Sequence, residues 1–295
     1  MKYAWIQEQA HEFPIVVMGE VLALSSSGYY DWVGREPSAT AVRRQQITEA
    51  VKRSFGQSHK IYGHRKVHQD VVEDHQIACC KETVRKVMKE QGLESKRRRQ
   101  YVVTTDSNHA YEVAQNVLDR EFTAEAPNRK WVADITYIRT LVGWLYVAVV
   151  IDLFSRKVVG WSLAKNIDAA LVCQALQAAW VMRRPGADLL HHSDRGSQYA
   201  SDDFQDLLDR HGVRCSMSRK GNCWDNACAE SFFDSLKNEW ICGKVYQDEA
   251  EAQKDVFKYI ELFYNRQRRH QSLDYLSPAE YERRYFEALD KDVAA

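Results

Sequence analysis

Residues 191–240 read HHSDRGSQYASDDFQDLLDRHGVRCSMSRKGNCWDNACAESFFDSLKNEW and hold carboxylates in two different settings. The first setting is a short apolar run that stops at the polar turn Ser193-Asp194-Arg195-Gly196. This pattern predicts a buried strand with Asp194 at its carboxyl end. Strand ends of this kind are where α/β sheets place their ligands.

The second setting is a predicted helix. Asp225 and Asn226 are residues that begin helices, and an apolar pattern follows them. Glu230 is therefore expected one turn inside this helix, with Lys237 seven residues further along the same face.

A third carboxylate, Asp134, lies in the middle of the apolar run WVADITYI, residues 131–138. A solvated acid is out of place in such a run, so a buried Asp134 needs a partner. Three carboxylates from two strands and a helix could share divalent metal ions, an arrangement suited to phosphodiester displacement.

Three motifs together resemble bacterial insertion-sequence transposases with a retroviral-integrase-type catalytic core: WVADITYI, HSDRGSQY (192–199) and GNCWDNACAESFFDSLKNEW (221–240). The resemblance is closest to the second-frame protein of the large insertion-sequence family that uses two overlapping reading frames, and it extends roughly over residues 13–285. It implies that Asp134, Asp194 and Glu230 are the catalytic residues and hold two Mg²⁺ ions, for which Mn²⁺ would substitute. It also implies that Lys237 holds a terminal phosphate; the alternative is a solvated helix lysine.

The order of predicted elements indicates an α/β, ribonuclease H-like fold with a mixed sheet and flanking helices. Three hairpin-linked strands are expected at 131–139, 144–152 and 157–163, followed by a helix at 169–181 and the strand before Asp194. The predicted domains are a helix-turn-helix DNA-binding module at 1–100, a linker at 101–126, the catalytic core at 127–240 and a helical extension at 241–295.

The composition limits the size of the core, the presence of membrane spans and the state of the cysteines. A chain of 295 residues with 45% hydrophobic residues can bury one large core and smaller helical modules. Its apolar runs are far shorter than the roughly 20 residues of a membrane span, so we expect no membrane partner and a cytoplasmic, nucleoid-associated bacterial protein. Seven cysteines, an odd number, indicate reduced thiols.

The net charge of zero conceals a local basic excess. Residues 41–100 contain 15 Lys and Arg against seven Asp and Glu, an excess of eight positive charges. Within them, YGHRKVHQDVVEDHQIACCKETVRKVMKEQGL (62–93) resembles the helix-turn-helix of the same family. The candidate DNA contacts are Lys81, Arg85, Lys86 and Lys89 on a recognition helix, with Arg65, Lys66, Lys96, Arg97, Arg98 and Arg99. For any single lysine of that helix, a solvated basic face is an equal alternative.

Two other groups have a structural alternative. Ser25-Ser26-Ser27-Gly28 is expected to be a turn after a helix at 13–24, and the aromatic residues that follow are expected to pack between short helices. Asp152, before LFSRK, is interpreted as a turn former rather than a metal ligand.

Zinc is not expected. His64, His68, His75, Cys79 and Cys80 suggest a zinc module, but adjacent cysteines lack the two-to-four-residue gap that lets both thiolates reach one ion. The family that the chain resembles has no zinc in this module.

The carboxyl-terminal sequence NRQRRHQSLDYLSPAEYE (265–282) resembles the tail of the same family. Its basic residues, Arg266, Arg268, Arg269 and His270, are candidates to grip DNA. Packing of the tail on the core explains the aromatic residues equally well. A helix is predicted before it, at 249–264.

The resemblance implies a transposase that cleaves insertion-sequence ends, joins the freed 3′-hydroxyl to another strand and forms a circular intermediate. A homo-oligomer on DNA and a first-frame protein, as fusion or partner, are expected. The first alternative is a stand-alone nuclease of the same fold, which would need neither the basic module nor the tail. The second is a catalytically inactive DNA-binding repressor, which would not need three acids.

The basic excess generates a prediction. The fragment 1–100 should bind DNA mainly through phosphates, so its affinity should fall steeply as salt rises, because binding releases condensed counterions. Fluorescence anisotropy at increasing salt measures this fall. An affinity that stays flat between low and moderate salt would contradict it.

Overall fold

The computed structural model describes residues 2–95, 111, 113–220 and 222–294. The described residues form two compact units. The first unit comprises those of 1–57 and 67–93, and the second those of 58–66 and 94–295.

The first unit is helical. The helices expected from the sequence at 13–24, 41–55, 61–74 and about 81–91 are confirmed to within a few residues, whereas those at Lys2–Gln9 and Ser26–Val33 were not predicted. Its elements, with α5 beginning in the second unit, are α1 (Lys2–Gln9), α2 (Ile15–Leu22), α3 (Ser26–Val33), α4 (Ala39–Gln57), α5 (His64–Glu73) and α6 (Lys81–Glu90).

The serine-rich segment 25–28 begins a helix, so its prediction as a turn was wrong. The Ser25 hydroxyl accepts a hydrogen bond from the Gly28 backbone N–H at 3.0 Å and caps α3. Tyr29 on this helix is buried, and the Trp32 ring stacks on Tyr3 with the centroids 5.9 Å apart. The predicted packing is therefore confirmed for Tyr29 and Trp32, whereas Tyr30 is 60% exposed.

Helices α4, α5 and α6 are held by an apolar seam and one buried polar contact. Val84 and Val87 of α6 are fully buried, as the apolar side of the predicted recognition helix required. Between α4 and α5, the Ser54 hydroxyl donates a hydrogen bond to the Asp70 carboxylate at 2.5 Å. A buried carboxylate needs such a donor, so this contact helps to fix how the two helices pack.

The second unit is built on a five-stranded mixed sheet in the order β3-β2-β1-β4-β5. Strand β2 is antiparallel to β1 and β3, whereas β4 is parallel to both β1 and β5. This arrangement confirms the predicted mixed sheet with flanking helices. Its elements are β1 (Lys130–Thr140), β2 (Gly143–Asp152), β3 (Val158–Ala164), α7 (Ala169–Arg183), β4 (Leu190–Ser193), α8 (Asp202–Arg210), β5 (Arg214–Met217) and α9 (Ala227–Ser235).

Much of the predicted linker packs against the sheet. Leu118 is 1% exposed, and its backbone N–H donates to the Ser216 hydroxyl on β5 at 3.1 Å. Val113 and Ala114 pack against the core. Residues 113–126 of the predicted linker are therefore part of the outer layer of the core.

The carboxyl-terminal extension belongs to the second unit. It comprises α10 (Glu249–Phe257), a π-helical segment (Lys258–Tyr264) and α11 (Pro278–Ala294), so the predicted helix at 249–264 is confirmed. The Asn265 side chain accepts a hydrogen bond from the Val158 N–H and donates one to the Val158 carbonyl, each at 3.0 Å. These bonds satisfy backbone groups on the edge strand β3.

Asp152 lies in a buried ionic cluster. Its carboxylate accepts hydrogen bonds from the backbone N–H groups of Phe154 at 2.9 Å and Asn128 at 2.7 Å, which confirms that it forms a turn. Arg183 of α7 lies 3.3 Å from Asp152 and 2.8 Å from Glu282 of α11. The cluster therefore ties the tail to the end of β2.

No helix in the described part of the chain is long and apolar enough to cross a membrane.

Gly160 provides a test of this packing. A Cβ there would lie 2.4 Å from the Ala175 carbonyl oxygen and 2.5 Å from the Ala179 nitrogen, both backbone atoms of α7. Because α7 would have to move away from β3, Gly160→Ala should lower the free energy of unfolding by about 1–3 kcal/mol or more. Urea denaturation measures the change. Gly186→Ala, whose Cβ would meet nothing within 4 Å, is the control and should change little. Equal stability of the two variants would contradict the close approach of α7.

Candidate active site

The pairing of β1 with β4 brings two of the predicted acids to one edge of the sheet. The two strands run parallel, with Val132 opposite His192. Asp134 and Asp194 each lie two residues beyond this matched pair, at the carboxyl side of the parallel ladder. They line one cavity of about 440 Å³, whose other lining residues are Ile135, Thr136, Tyr137, Trp144, Tyr146, Ile167, Ser197 and Gln198.

The pKa of Asp134 is strongly shifted by its surroundings. Burial raises the pKa of this carboxyl well above its usual range, and the charge of Asp194 raises it further, with a smaller contribution from Glu230. The Ile135 N–H, at 2.8 Å from the carboxylate, and the charge of Lys237 act in the opposite direction. Two acids that penalise each other's ionisation form a site that a cation would stabilise.

Asp194 is held by the turn that follows β4. The Gly196 N–H donates to the Asp194 carboxylate at 2.9 Å, and a Cβ on Gly196 would come within 3.0 Å of the same oxygen. The Arg195 guanidinium donates to the Ser218 carbonyl at 2.5 Å, which fastens the turn to the segment after β5. The acid is therefore positioned by backbone geometry.

Glu230 lies in the first turn of α9, which packs on β1. Asn226 ties the start of this helix to β1, because its side-chain amide donates to the Ala133 carbonyl at 3.1 Å. Glu230 is exposed and does not line the cavity of the two aspartates, although its charge reaches Asp134. Partial desolvation of the carboxyl raises its own pKa. Within the ranges described above, no three His, Cys, Asp or Glu side chains are already grouped to hold a metal ion.

The predicted helix-start role of Asp225 was wrong, and Asn226 likewise caps no backbone N–H of α9 with its side chain. Asp225 lies in a 3-10 turn, and Arg219 donates to both of its oxygens, at 2.8 and 2.9 Å. Arg120 and Asn116 donate to the same carboxylate at 2.9 Å. The pKa of Asp225 is held well below its usual range, chiefly by Arg219. Asp225 therefore fastens the segment before α9 to the core.

Lys237 is half-buried on a π-helical continuation of α9, Leu236–Ile241. Its ammonium lies 4.4 Å from the centroid of the Tyr137 ring. Burial lowers its pKa, while the charge of Asp134 acts to raise it. A fully solvated helix lysine, the alternative interpretation, does not fit these contacts.

The tail holds the helix that carries Glu230 and Lys237. Arg268 is 9% exposed, and its guanidinium donates to both Glu239 carboxylate oxygens at 2.6 Å and to the Ser235 hydroxyl at 3.0 Å. Arg268 is therefore buried and bonded within the protein, and the prediction that it grips DNA was wrong. Arg266 is exposed.

The candidate DNA-contacting residues fall into three groups. Lys81, Arg85, Lys86 and Lys89 are all exposed on α6, but Arg85 is paired in two hydrogen bonds with Glu82 at 2.6 and 2.8 Å. In the second unit, Arg65 is exposed, whereas the Lys66 ammonium lies 5.1 Å from the Tyr62 ring centroid. Lys96, Arg97, Arg98 and Arg99 lie outside the described residues.

Two site residues were missed by sequence reasoning. The Tyr199 hydroxyl is buried and has no hydrogen-bond partner among the described residues, and burial and the charges of Asp134 and Asp194 raise its pKa. Trp144 lines the cavity from β2. Tyr199 is the last residue of the HSDRGSQY motif that contains Asp194, so its position was a usable signal. Trp144 becomes a neighbour of the site only through strand pairing.

Comparisons with known proteins agree with this geometry. Two family models described as "Integrase core domain" match residues 124–223 and 211–278. A third, "HTH-like domain", matches residues 42–101. An integrase core implies use of a divalent metal ion and, with the helix-turn-helix domain, DNA binding.

Solved structures with a similar fold include a simian T-cell lymphotropic virus intasome in complex with PP2A regulatory subunit B56 gamma. The TM-score is 0.45 at 13% identity, over 77% of this chain and 72% of that chain. The catalytic domain of Mos1 mariner transposase gives a TM-score of 0.40 at 14% identity, over 46% and 71%. Likenesses this weak add nothing to the assignment.

Sequence relatives decide the family. "Transposase InsF for insertion sequence IS3A" of Escherichia coli (strain K12) is 42% identical over 96% of this chain and 98% of its own length. "Insertion element IS600 uncharacterized 31 kDa protein" of Shigella sonnei is 39% identical over 91% and 98%. The chain therefore belongs to the insertion-sequence transposases related to InsF of IS3, and it is a DNA transposase with an integrase-type catalytic core.

Proposed function

We propose that this transposase cuts DNA at the ends of its insertion sequence and joins the freed 3′-hydroxyl to another strand, with Asp134, Asp194 and Glu230 as the catalytic and metal-binding carboxylates. One observation carries the proposal: the β1–β4 register brings Asp134 and Asp194 to one cavity, where their charges oppose each other.

The residues fit Mg²⁺, with Mn²⁺ as a substitute. Carboxylate oxygens are the ligands that hard divalent cations prefer, and the mutual repulsion of the two aspartates is relieved by positive charge between them. We propose that Glu230 completes the ligand set, since its charge already reaches Asp134. When bound, the metal would supply charge neutralisation at the phosphate and activation of the attacking oxygen.

The protein's own groups would mainly position the DNA. The Gly196 N–H fixes the orientation of the Asp194 carboxylate by a hydrogen bond, and the Ile135 N–H fixes that of Asp134. Lys237 would hold a phosphate beside the cavity, because its ammonium is partly desolvated and near Asp134. Such fixed charges cost no reorganisation during the reaction.

We propose that the DNA contacts outside the core are Lys81, Arg85, Lys86, Lys89, Arg65 and Lys66, with the basic run Lys96–Arg99. A homo-oligomer would assemble on paired ends, and a first-frame protein would act as fusion or partner. Because its substrate is DNA, we propose that the enzyme works at the bacterial nucleoid.

Removal of the charge on Glu230 tests the proposed triad. Glu230→Gln keeps the shape of the side chain but weakens its hold on a hard cation, so cleavage and joining of a labelled end in Mg²⁺ should each fall by about 100-fold or more. DNA binding should survive. Asp234→Asn, the same charge change on the same helix, is the control and should retain most activity.

The same assay separates the alternatives. A stand-alone nuclease would cut the end without joining it, and a repressor would bind without cutting. Parental rates for Glu230→Gln, with the protein folded, would remove Glu230 from the site.

The raised pKa of Asp134 predicts a pH-dependent stability effect in metal-free protein. A carboxyl whose folded pKa is raised destabilises the fold when ionised, and this cost appears as pH rises from its unfolded pKa through its folded pKa. Asp134→Asn should therefore raise the melting temperature near neutral pH, by about 2–4 °C if about 1 kcal/mol is relieved. The gain should vanish in acid, where the parental carboxyl is already neutral.

Thermal melts in chelator at acid and neutral pH measure this difference. Asp203→Asn, an exposed acid on α8, serves as the control. A destabilised Asp134→Asn at neutral pH would show that the ionised carboxylate stabilises the fold.

A further inference from the structure

Beside the two aspartates, two aromatic rings and two cations form a cluster that we call the aromatic platform: Tyr137, Trp144, Arg139 and Lys237. The Tyr137 and Trp144 rings meet edge to face, with centroids 5.0 Å apart. The Arg139 guanidinium carbon lies 6.0 Å from the Trp144 ring centroid, and Lys237 lies over Tyr137. Each ring therefore has a cation as neighbour.

The strand register builds this platform on the β1–β2 hairpin. Arg139 faces Trp144 directly across the strands, and Tyr137 faces Tyr146. Side chains at directly opposite and diagonal positions of an antiparallel pair lie on one face, which explains the ring contact. Strand β3 pairs with β2 only from Tyr146 onward, so Trp144 lies beyond the part of the sheet that β3 covers.

The platform is the common wall of two cavities. Tyr137 and Trp144 line the cavity that holds Asp134 and Asp194. The same two rings line a second cavity of about 220 Å³, together with Arg139 and Lys237. One side of the wall is therefore acidic and the other basic.

Trp144 is poorly explained as a core residue. It is 49% exposed, whereas its diagonal neighbour Tyr137 is half-buried and carries the ring contact. A half-exposed ring in a cluster that also holds two cations is suited to a flat, electron-rich aromatic group. In a DNA-binding enzyme, the group with that chemistry is a nucleobase, and bases stack on aromatic side chains irrespective of sequence.

We propose that Trp144, buttressed edge to face by Tyr137, forms a stacking subsite for one unstacked nucleobase next to the scissile phosphate, with Arg139 and Lys237 near the backbone phosphates that flank it. This subsite rests on the proposed role of Asp134 and Asp194. Unless a cation is bound, the negative charges of Asp134 and Asp194 repel a phosphate placed against the wall, but they do not repel a neutral base. A base turned onto the wall draws its strand away from the duplex and directs the adjoining phosphate toward the aspartates.

DNA ends that lack a single base distinguish the loss of stacking on Trp144 from other effects of substituting this residue. The full-length parent, Trp144→Ala and Trp144→Phe would be assayed on a labelled insertion-sequence end and on ends with a single abasic site at each position around the cut. On the intact end Trp144→Ala should cut about 10- to 100-fold more slowly, and Trp144→Phe should stay near the parent. At one abasic position the penalty of Trp144→Ala should disappear, because the ring has no base to stack.

Leu141→Ala is the matched control, since Leu141 is an exposed apolar residue at the tip of the same hairpin, and it should cut like the parent. A parental rate for Trp144→Ala on the intact end would overturn the subsite. So would a penalty of the same size on every abasic end. If Trp144→Ala fails to fold, Trp144→Leu replaces it, since leucine keeps apolar bulk without a stacking face.

A binding experiment distinguishes failure of the subsite from failure of the proposed function. Ends carrying 5-iodouracil, which crosslinks to stacked aromatic side chains, would be irradiated in complex with the Asp134→Asn protein, and the crosslinked peptide identified. A crosslink to Trp144 or Tyr137 from one position supports the subsite even if no cleavage is seen with the parent. Crosslinks only elsewhere overturn it even if the parent cuts and joins normally.

Discussion

The parallel pairing of β1 with β4 is the constraint on which the site depends. It matches Val132 with His192, and therefore brings two acids that are 60 residues apart in sequence to the same level of the sheet. Antiparallel pairing with β2 holds β1 from its other side. Because β1 lies at the centre of the sheet, neighbouring strands hold Trp131 and Val132 from both sides, and β2 continues to pair with Asp134 itself. A shift of one residue would turn the Asp134 side chain to the opposite face.

The carboxyl-terminal extension completes this arrangement. Arg268 holds the helical segment after α9 through Ser235 and Glu239, so the tail supports the helix that carries Glu230 and Lys237. Glu282 and Asn265 fasten the tail to α7 and β3. The buried charges in these contacts are paired, which is the condition for placing them inside the protein at acceptable free energy. The tail is thus a structural part of the catalytic unit.

The basic residues have two different roles, which depend on where they lie in the structure. The exposed lysines of α6 remain available to phosphates, whereas the arginines around Asp225 and Glu239 are consumed by internal ion pairs. Counting basic residues along the chain does not distinguish the two groups, because both carry the same charge. Their partners distinguish them, since Arg120 and Arg219 are exposed but ion-paired with Asp225. Arg268, which is buried as well as paired, shows that an arginine-rich segment can serve the fold rather than DNA.

The sequence by itself determined most of the elements and singled out Asp134. Apolar runs and turn residues located the strands of the β1–β3 meander and helices α2, α4, α5 and α6, because these patterns depend on neighbours within a few residues. Asp134 interrupts an apolar run, and that local pattern is enough to mark it as an acid that needs a partner. Only the tertiary structure decided that Asp225 binds arginines, that residues 113–126 pack on the core, and that Trp144 stands beside the aspartates. Each of these depends on contacts between residues far apart in the chain, such as Asn116 with Asp225, and local patterns carry no information about such contacts.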